Sequence, residues 1–230
     1  MIRKHLFLFF SLIVLTAGLN AQSTFEPEWN IGVGFGPTFS SLSFDLTGAT
    51  SNPEVQNYQQ FHGGISARYI SEKNLGVIAE LNISQQGWEG KYKDNPEYSH
   101  SHSLTYLELP VLTHIYFGRK VRFFINMGPK IQFLISEKEK ISDALADAIA
   151  NNTGDISSPQ YNRDTERKFD YGLTGGTGLE LRTRIGYFVL EGRYYYGLGD
   201  IYDNSKAENN FNRSANRVIS AKLTYYMKLF

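Results

Sequence analysis

Cysteine is absent from the chain. Its absence excludes a disulfide scaffold, a thiolate metal site, a cysteine nucleophile and a lipid-modified cysteine at a cleavage site. Net charge is missing as well, with 23 Lys and Arg against 23 Asp and Glu. There is therefore no basic footprint for nucleic acid. After the N-terminus, no stretch approaches the roughly 18 apolar residues that announce a membrane helix. The common catalytic signatures are lacking too: no Gly-x-Ser-x-Gly elbow, no His-Glu-x-x-His and no phosphate loop. The chain reads as a non-enzyme, with no cofactor and no metal.

What is present begins with an address. Arg3 and Lys4 form a short positive segment, Leu6 to Ala17 is apolar, and Leu19-Asn20-Ala21 places a small residue before Gln22. This is the pattern of a secretory signal peptide over residues 1–21. Residues 22–230 then make one domain. Mean hydropathy is −0.33, low for a helical membrane protein but ordinary for a barrel, whose lumen and outer loops are polar.

The strongest pattern is an alternation. From Trp29 to Phe39 the odd positions are Trp29, Ile31, Val33, Phe35, Pro37 and Phe39, while the even ones are Asn30, Gly32, Gly34, Gly36 and Thr38. A period of two is the signature of a strand with unlike faces. It recurs over roughly 61–70, 75–85, 104–116, 121–135, 169–182, 187–198 and 218–230, and no Asp, Glu, Lys or Arg falls on the apolar phase of any of these segments. The connections alternate in length. Ser71 to Asn74, Phe117 to Lys120 and Thr183 to Gly186 are short; Ser40 to Gln60, Gln86 to Ser103, Ser136 to Lys168 and Gly199 to Arg217 are long. The expected fold is all-β: an eight-stranded antiparallel transmembrane β-barrel of the outer-membrane type, with short periplasmic turns, long outer loops and both termini periplasmic.

The polar phase carries the charges. Arg68, Glu80, Glu108, Arg122, Lys130, Asp170, Glu180, Glu191, Arg193 and Lys222 point inward in this register, with Tyr106 and His114. Eight strands enclose a space that side chains can fill, so these residues read as a lumen charge network of mutually satisfied ions. Gly32, Gly34, Gly36, Gly172, Gly176 and Gly178 share that phase and make room for the larger groups. They open no helix, so a nucleotide-binding loop does not fit. Trp29, Tyr69, Phe117, Phe169, Tyr187 and Tyr225 stand at strand ends, where interfacial girdles are expected. The final Phe230 is the residue with which such barrels commonly end, although it shares the phase of Lys222 and Lys228.

The fourth strand contains Tyr106-Leu107-Glu108-Leu109-Pro110-Val111-Leu112. This segment resembles the Tyr-Leu-Glu-Ile-Pro-Leu stretch of PorT-like outer-membrane β-barrel proteins, and Gly36-Pro37 and Gly128-Pro129 resemble the Gly-Pro positions of that family. The resemblance implies a Gram-negative outer membrane and adds a link to protein secretion, with no catalytic residues to carry over. Read from its own residues, Pro110 breaks a ladder and calls for a bulge.

The loops hold the remaining signals. His100-Ser101-His102 offers two imidazoles with no third ligand nearby in the sequence, and a solvated loop is the expected reading. Ser136 to Glu139 has the form of a capping box, and Ile141, Leu145 and Ile149 follow at helical spacing, so a short amphipathic helix is expected over about 137–150. Gly48 to Gln60 has no periodicity. Together these readings describe a structural or accessory outer-membrane barrel. Its partners are outer-membrane lipid, the barrel assembly machinery during insertion, and other envelope or secretion proteins. Two alternatives differ in class. An enzyme acting on lipid or peptide at the rim would draw on His100, His102, Asp94 and Asp203, and a narrow channel or ligand carrier would need a water path past Glu80, Arg122 and Arg193.

Overall fold

Eight long strands close on themselves in a computed structural model that describes residues 25–46, 55–92, 95–151, 165–202 and 211–229. They are β1 (Glu28–Leu46), β3 (Tyr58–Glu72), β4 (Leu75–Gly90), β5 (His100–Gly118), β6 (Val121–Ile141), β7 (Phe169–Arg182), β8 (Tyr187–Gly197) and β9 (Phe211–Lys228). The two-residue β2 (Val55–Gln56) adds to the end of β4, pairing Val55 with Gly90. Every long strand runs antiparallel to its neighbours. The ring is closed because β1 pairs with β9 as well as with β3, and β4 pairs with both β3 and β5. No barrel strand is left with an open edge, the condition that lets a sheet stand in hydrocarbon.

Burial follows the pleat. In β6, Phe124 and Asn126 are each 1% exposed while Ile125 and Met127 are 43% and 65% exposed. The same alternation runs through β4, where Leu75, Val77, Leu81 and Ile83 face outward and Ile78, Glu80, Asn82 and Ser84 face inward. Aromatic pairs ring the outside: Trp29 with Tyr69 at 4.7 Å between centroids and Phe188 with Tyr225 at 5.3 Å near the short turns, and Phe133 with Phe169 at 5.1 Å nearer the long loops. Tyr187 is an exception to the expected girdle. It points inward and is 7% exposed, its hydroxyl bound by Arg182, and Phe188 takes the outward place.

Close approach of strands explains the inward glycines. A Cβ on Gly36 would lie 1.8 Å from the Ala221 carbonyl oxygen, and one on Gly64 would lie 2.1 Å from that of Leu81. Backbone, not a movable side chain, occupies the space, so any larger residue forces β1 and β9, or β3 and β4, apart.

The structure corrects further expectations. Most strands continue past their predicted limits at the long-loop end, to Leu46, Gly90 and Ile141, with β3 starting at Tyr58, β5 at His100 and β9 at Phe211. Residues 136–141 belong to β6 and pair with β5, from Thr105↔Ser136 to His100↔Ile141. Helix α1 (Asp143–Ala150) is therefore only eight residues long and is capped by Ser142, whose hydroxyl accepts from the Leu145 amide at 3.4 Å. The capping box at Ser136 is unused, because a Glu-Lys-Glu-Lys run is equally a strand with both carboxylates on one face. Leu145 and Ala148 are the buried residues of α1. Pro110 makes no bulge: the register runs through it unchanged, with Ala79↔Val111 and Asn82↔Glu108 on one side and Pro110↔Lys130 and Thr113↔Met127 on the other. The shift in that ladder lies between Thr105 and Tyr106. The expected signal peptide over 1–21, and Phe230, Asp94, Asp203 and residues 48–54, lie outside the described residues.

Candidate functional site

The interior of the ring is the part of the molecule with chemistry, and it is layered. Near the short turns, Ile70, Tyr116, Phe124, Tyr187, Val189 and Tyr226 form a buried apolar cluster, against which Phe25 packs. Near the long loops, Leu42, Trp88, Leu104, Tyr106, Leu134, Ile201 and Tyr202 form another. Ile201 and Tyr202 come from the segment after β8, which folds back into the mouth. The Arg167 amide donates to the Ile201 carbonyl at 3.0 Å, and the Tyr202 amide donates to Ser214 Oγ at 3.1 Å.

Between these clusters lie the charges. Arg193 is the hub: its Nη1 and Nη2 donate to Glu80 at 2.9 and 3.1 Å, and its Nη2 and Nε donate to Glu191 at 2.7 and 3.1 Å. Lys222 Nζ reaches Glu80 at 3.1 Å and Asn82 Oδ1 at 3.0 Å. Two cations thus face two carboxylates. Asn126 completes the set, donating to Glu191 Oε1 at 2.9 Å and meeting His114 at 2.7 Å.

Two smaller groups flank this centre. Toward the short turns, Glu180 is gripped by Arg68 and lies 3.4 Å from Arg122, while Arg68 donates to Asn30 Oδ1 at 2.9 Å. The Arg68 guanidinium lies 4.3 Å from the ring centre of Tyr226 and that of Arg122 lies 4.0 Å from Tyr116, positions of cation–π attraction. Toward the long loops, Lys130 Nζ pairs with Glu108 at 2.7 Å and sits 3.6 Å from the ring centre of Tyr195. Asp170 accepts from Gln132 at 2.7 Å and from Asn216 at 2.9 Å. The singled-out residues therefore meet in three groups rather than one.

Several partners had no charge to announce them. Asn30, Asn82, Gln86, Asn126, Gln132 and Asn216 bridge the ions. Asn30, Asn82, Asn126 and Gln132 lie on the inward phase that the alternation marked, while Gln86 and Asn216 lie where β4 and β9 run on into segments read as loops. Arg182 and Glu28, paired at 2.7 Å, close the short-turn end.

At the long-loop end, beyond the outward apolar belt, β5 and β6 bring four titratable groups together. His100 Nε2 lies 2.8 Å from Glu139 Oε1, and His102 Nε2 lies 3.4 Å from Glu137 Oε2. One ligand atom each from His100, His102 and Glu139 falls within 4.8 Å of the others. Burial holds the His100 imidazole below its ordinary pKa, with Glu139 pulling the other way. The expected solvated loop is in fact paired strand, and both imidazoles are buried.

Comparisons with known proteins come down on one architecture. Residues 20–203 match the family described as outer membrane protein beta-barrel domain. Among solved structures, OprG of Pseudomonas aeruginosa is similar at 15% identity and a TM-score of 0.50, with 87% of this chain and 95% of that one covered. Neisserial surface protein A gives 13% identity and 0.45, over 87% and 99%. The outer membrane enzyme PagL gives 12% and 0.35, over 86% and 98%. The likeness to OprG, at this identity, speaks for the fold alone. No curated protein matches the chain.

Proposed function

The chain belongs to the outer membrane protein beta-barrel domain family, and from that premise we propose that it is a non-catalytic barrel with a closed lumen, a structural or accessory protein of the Gram-negative envelope. The observation that carries this reading is the hub at Arg193, held by Glu80 and Glu191 between two apolar clusters. Ions that satisfy one another across a lumen stabilise the ring and leave no like-charged ring to select a permeant ion. In this reading the lumen network of Arg68, Glu80, Glu108, Arg122, Lys130, Glu180, Glu191, Arg193 and Lys222 holds the barrel together, and interactions with other molecules belong to the rim and loops.

The short-turn end then faces the periplasm, with both termini there, and the outward apolar belt meets outer-membrane lipid after insertion by the assembly machinery. Export removes residues 1–21, so the intact mass of the purified protein should begin at Gln22; a mass that retains Met1 sinks this part. The link to secretion proteins rests on the resemblance of Tyr106 to Leu112 to the PorT-like segment.

Two measurements test the proposal. In planar bilayers the purified protein should give no conductance above the protein-free membrane, and discrete steps would end the closed-lumen reading. Cross-linking in intact cells, followed by purification in mild detergent, should return a reproducible envelope partner. A protein that arrives alone contradicts an accessory role.

A further inference from the structure

We propose that His100, His102 and Glu139 bind a divalent transition cation at the long-loop end of the barrel, with Glu137 at its side. The argument starts from strand geometry. Residues two apart on a strand share a face, so His100 and His102 of β5 look the same way, as do Glu137 and Glu139 of β6. The register sets His102 opposite Glu139 and Leu104 opposite Glu137. Two imidazoles and two carboxylates thereby converge from adjacent strands, while Lys138 and Lys140 occupy the opposite face and are exposed.

The ligand atoms of the three residues lie within 4.8 Å of one another. Ligand bonds to zinc are about 2.0–2.2 Å for imidazole nitrogen and carboxylate oxygen, so small side-chain rotations close the set around one ion. Each imidazole then carries its proton on the ring nitrogen turned away from the ion. The site is also held in place. The His102 ring stacks on Trp88 at 4.6 Å between centroids, and the Thr165 amide donates to Glu137 Oε2 at 3.0 Å. Glu139 keeps 18% of its side-chain surface exposed, which gives an ion a way in.

The donor set names the class of ion. Imidazole with carboxylate suits zinc, copper, nickel and iron, whereas calcium and magnesium prefer oxygen alone. Two His and one Glu leave a coordination position open. Glu137 is placed to fill that position or to steady the ion from outside.

The experiment uses the untagged protein, purified from outer membranes in detergent and stripped with a chelator. Titrated with copper(II), it should bind one equivalent whose electron paramagnetic resonance spectrum carries splitting from two imidazole nitrogens. Copper should displace bound zinc from the site, as the higher affinity of such donors for copper requires, and excess calcium should displace neither. His102→Gln and Glu139→Gln should each weaken zinc binding at least about tenfold, while His62→Gln and His114→Gln, in the lumen, leave it unchanged. A copper spectrum without two nitrogens overturns the proposal, and so does zinc binding undiminished in folded His102→Gln. If that variant does not fold, the spectrum of the unaltered protein decides alone.

Discussion

Replacing Arg193 with Met should destabilise the barrel by about 3–5 kcal/mol, read by urea unfolding from lipid vesicles, because breaking a buried ion pair leaves its partner uncompensated. The loss is large here because one side chain serves two carboxylates, Glu80 and Glu191. Without it Lys222 alone faces both, and only Glu80 is within its reach, at 3.1 Å. Charge balance makes the effect reversible on paper and in the test tube. Adding Glu191→Met to Arg193→Met leaves Glu80 matched with Lys222, and the double variant should recover most of the loss, as coupled neighbours do. Equal and additive losses in the two single variants would show that the central ions do not act as a unit.

Arginine in place of Ala79 should lower the folding free energy in bilayers by about 2–4 kcal/mol, the penalty for that side chain near the midplane of a barrel's lipid face. Ala79 stands at the centre of the outward row Leu75, Val77, Ala79, Leu81 and Ile83, and opposite Ala67 and Val111. The same change at Glu72, beside a short turn, should alter stability by under about 1 kcal/mol, since the penalty falls away toward the interface. A loss at Ala79 below about half a kilocalorie would mean that this row does not face hydrocarbon.

The sequence was most legible where lipid polices it. Hydrocarbon admits no charge on the outward phase, so the alternation from Trp29 to Phe39 and from Leu75 to Ile83 was unmistakable, and the inward phase followed from it. Beyond the belt both faces of a strand meet water or protein, and that policing stops. Ser136 to Ile141 could then be read as a helix start, and only its pairing with His100 to Thr105 makes it strand. The His–Glu cluster was hidden for a related reason: Glu139 stands far along the chain from His100 and His102, and register alone brings them together. Tyr187 was misplaced because an aromatic residue at a strand end suits either an interface or a lumen. The apolar plug of Ile201 and Tyr202 had no periodic signal at all, since it is irregular backbone held by bonds to Ser214 and Arg167.

The seam between β1 and β9 has a consequence in time. It joins Asn30 to Lys228, so among the described residues the strand pairing of greatest sequence separation is also the one that completes the ring. Chain entropy must be surrendered over that whole length before the pairing returns anything, and topologies of such high contact order fold slowly. Until β9 arrives, the growing sheet has two bare margins that could recruit other chains. Once the seam is made, no strand can leave without breaking ladders on both its sides, so the finished barrel should owe its lifetime to a high unfolding barrier as much as to its equilibrium stability.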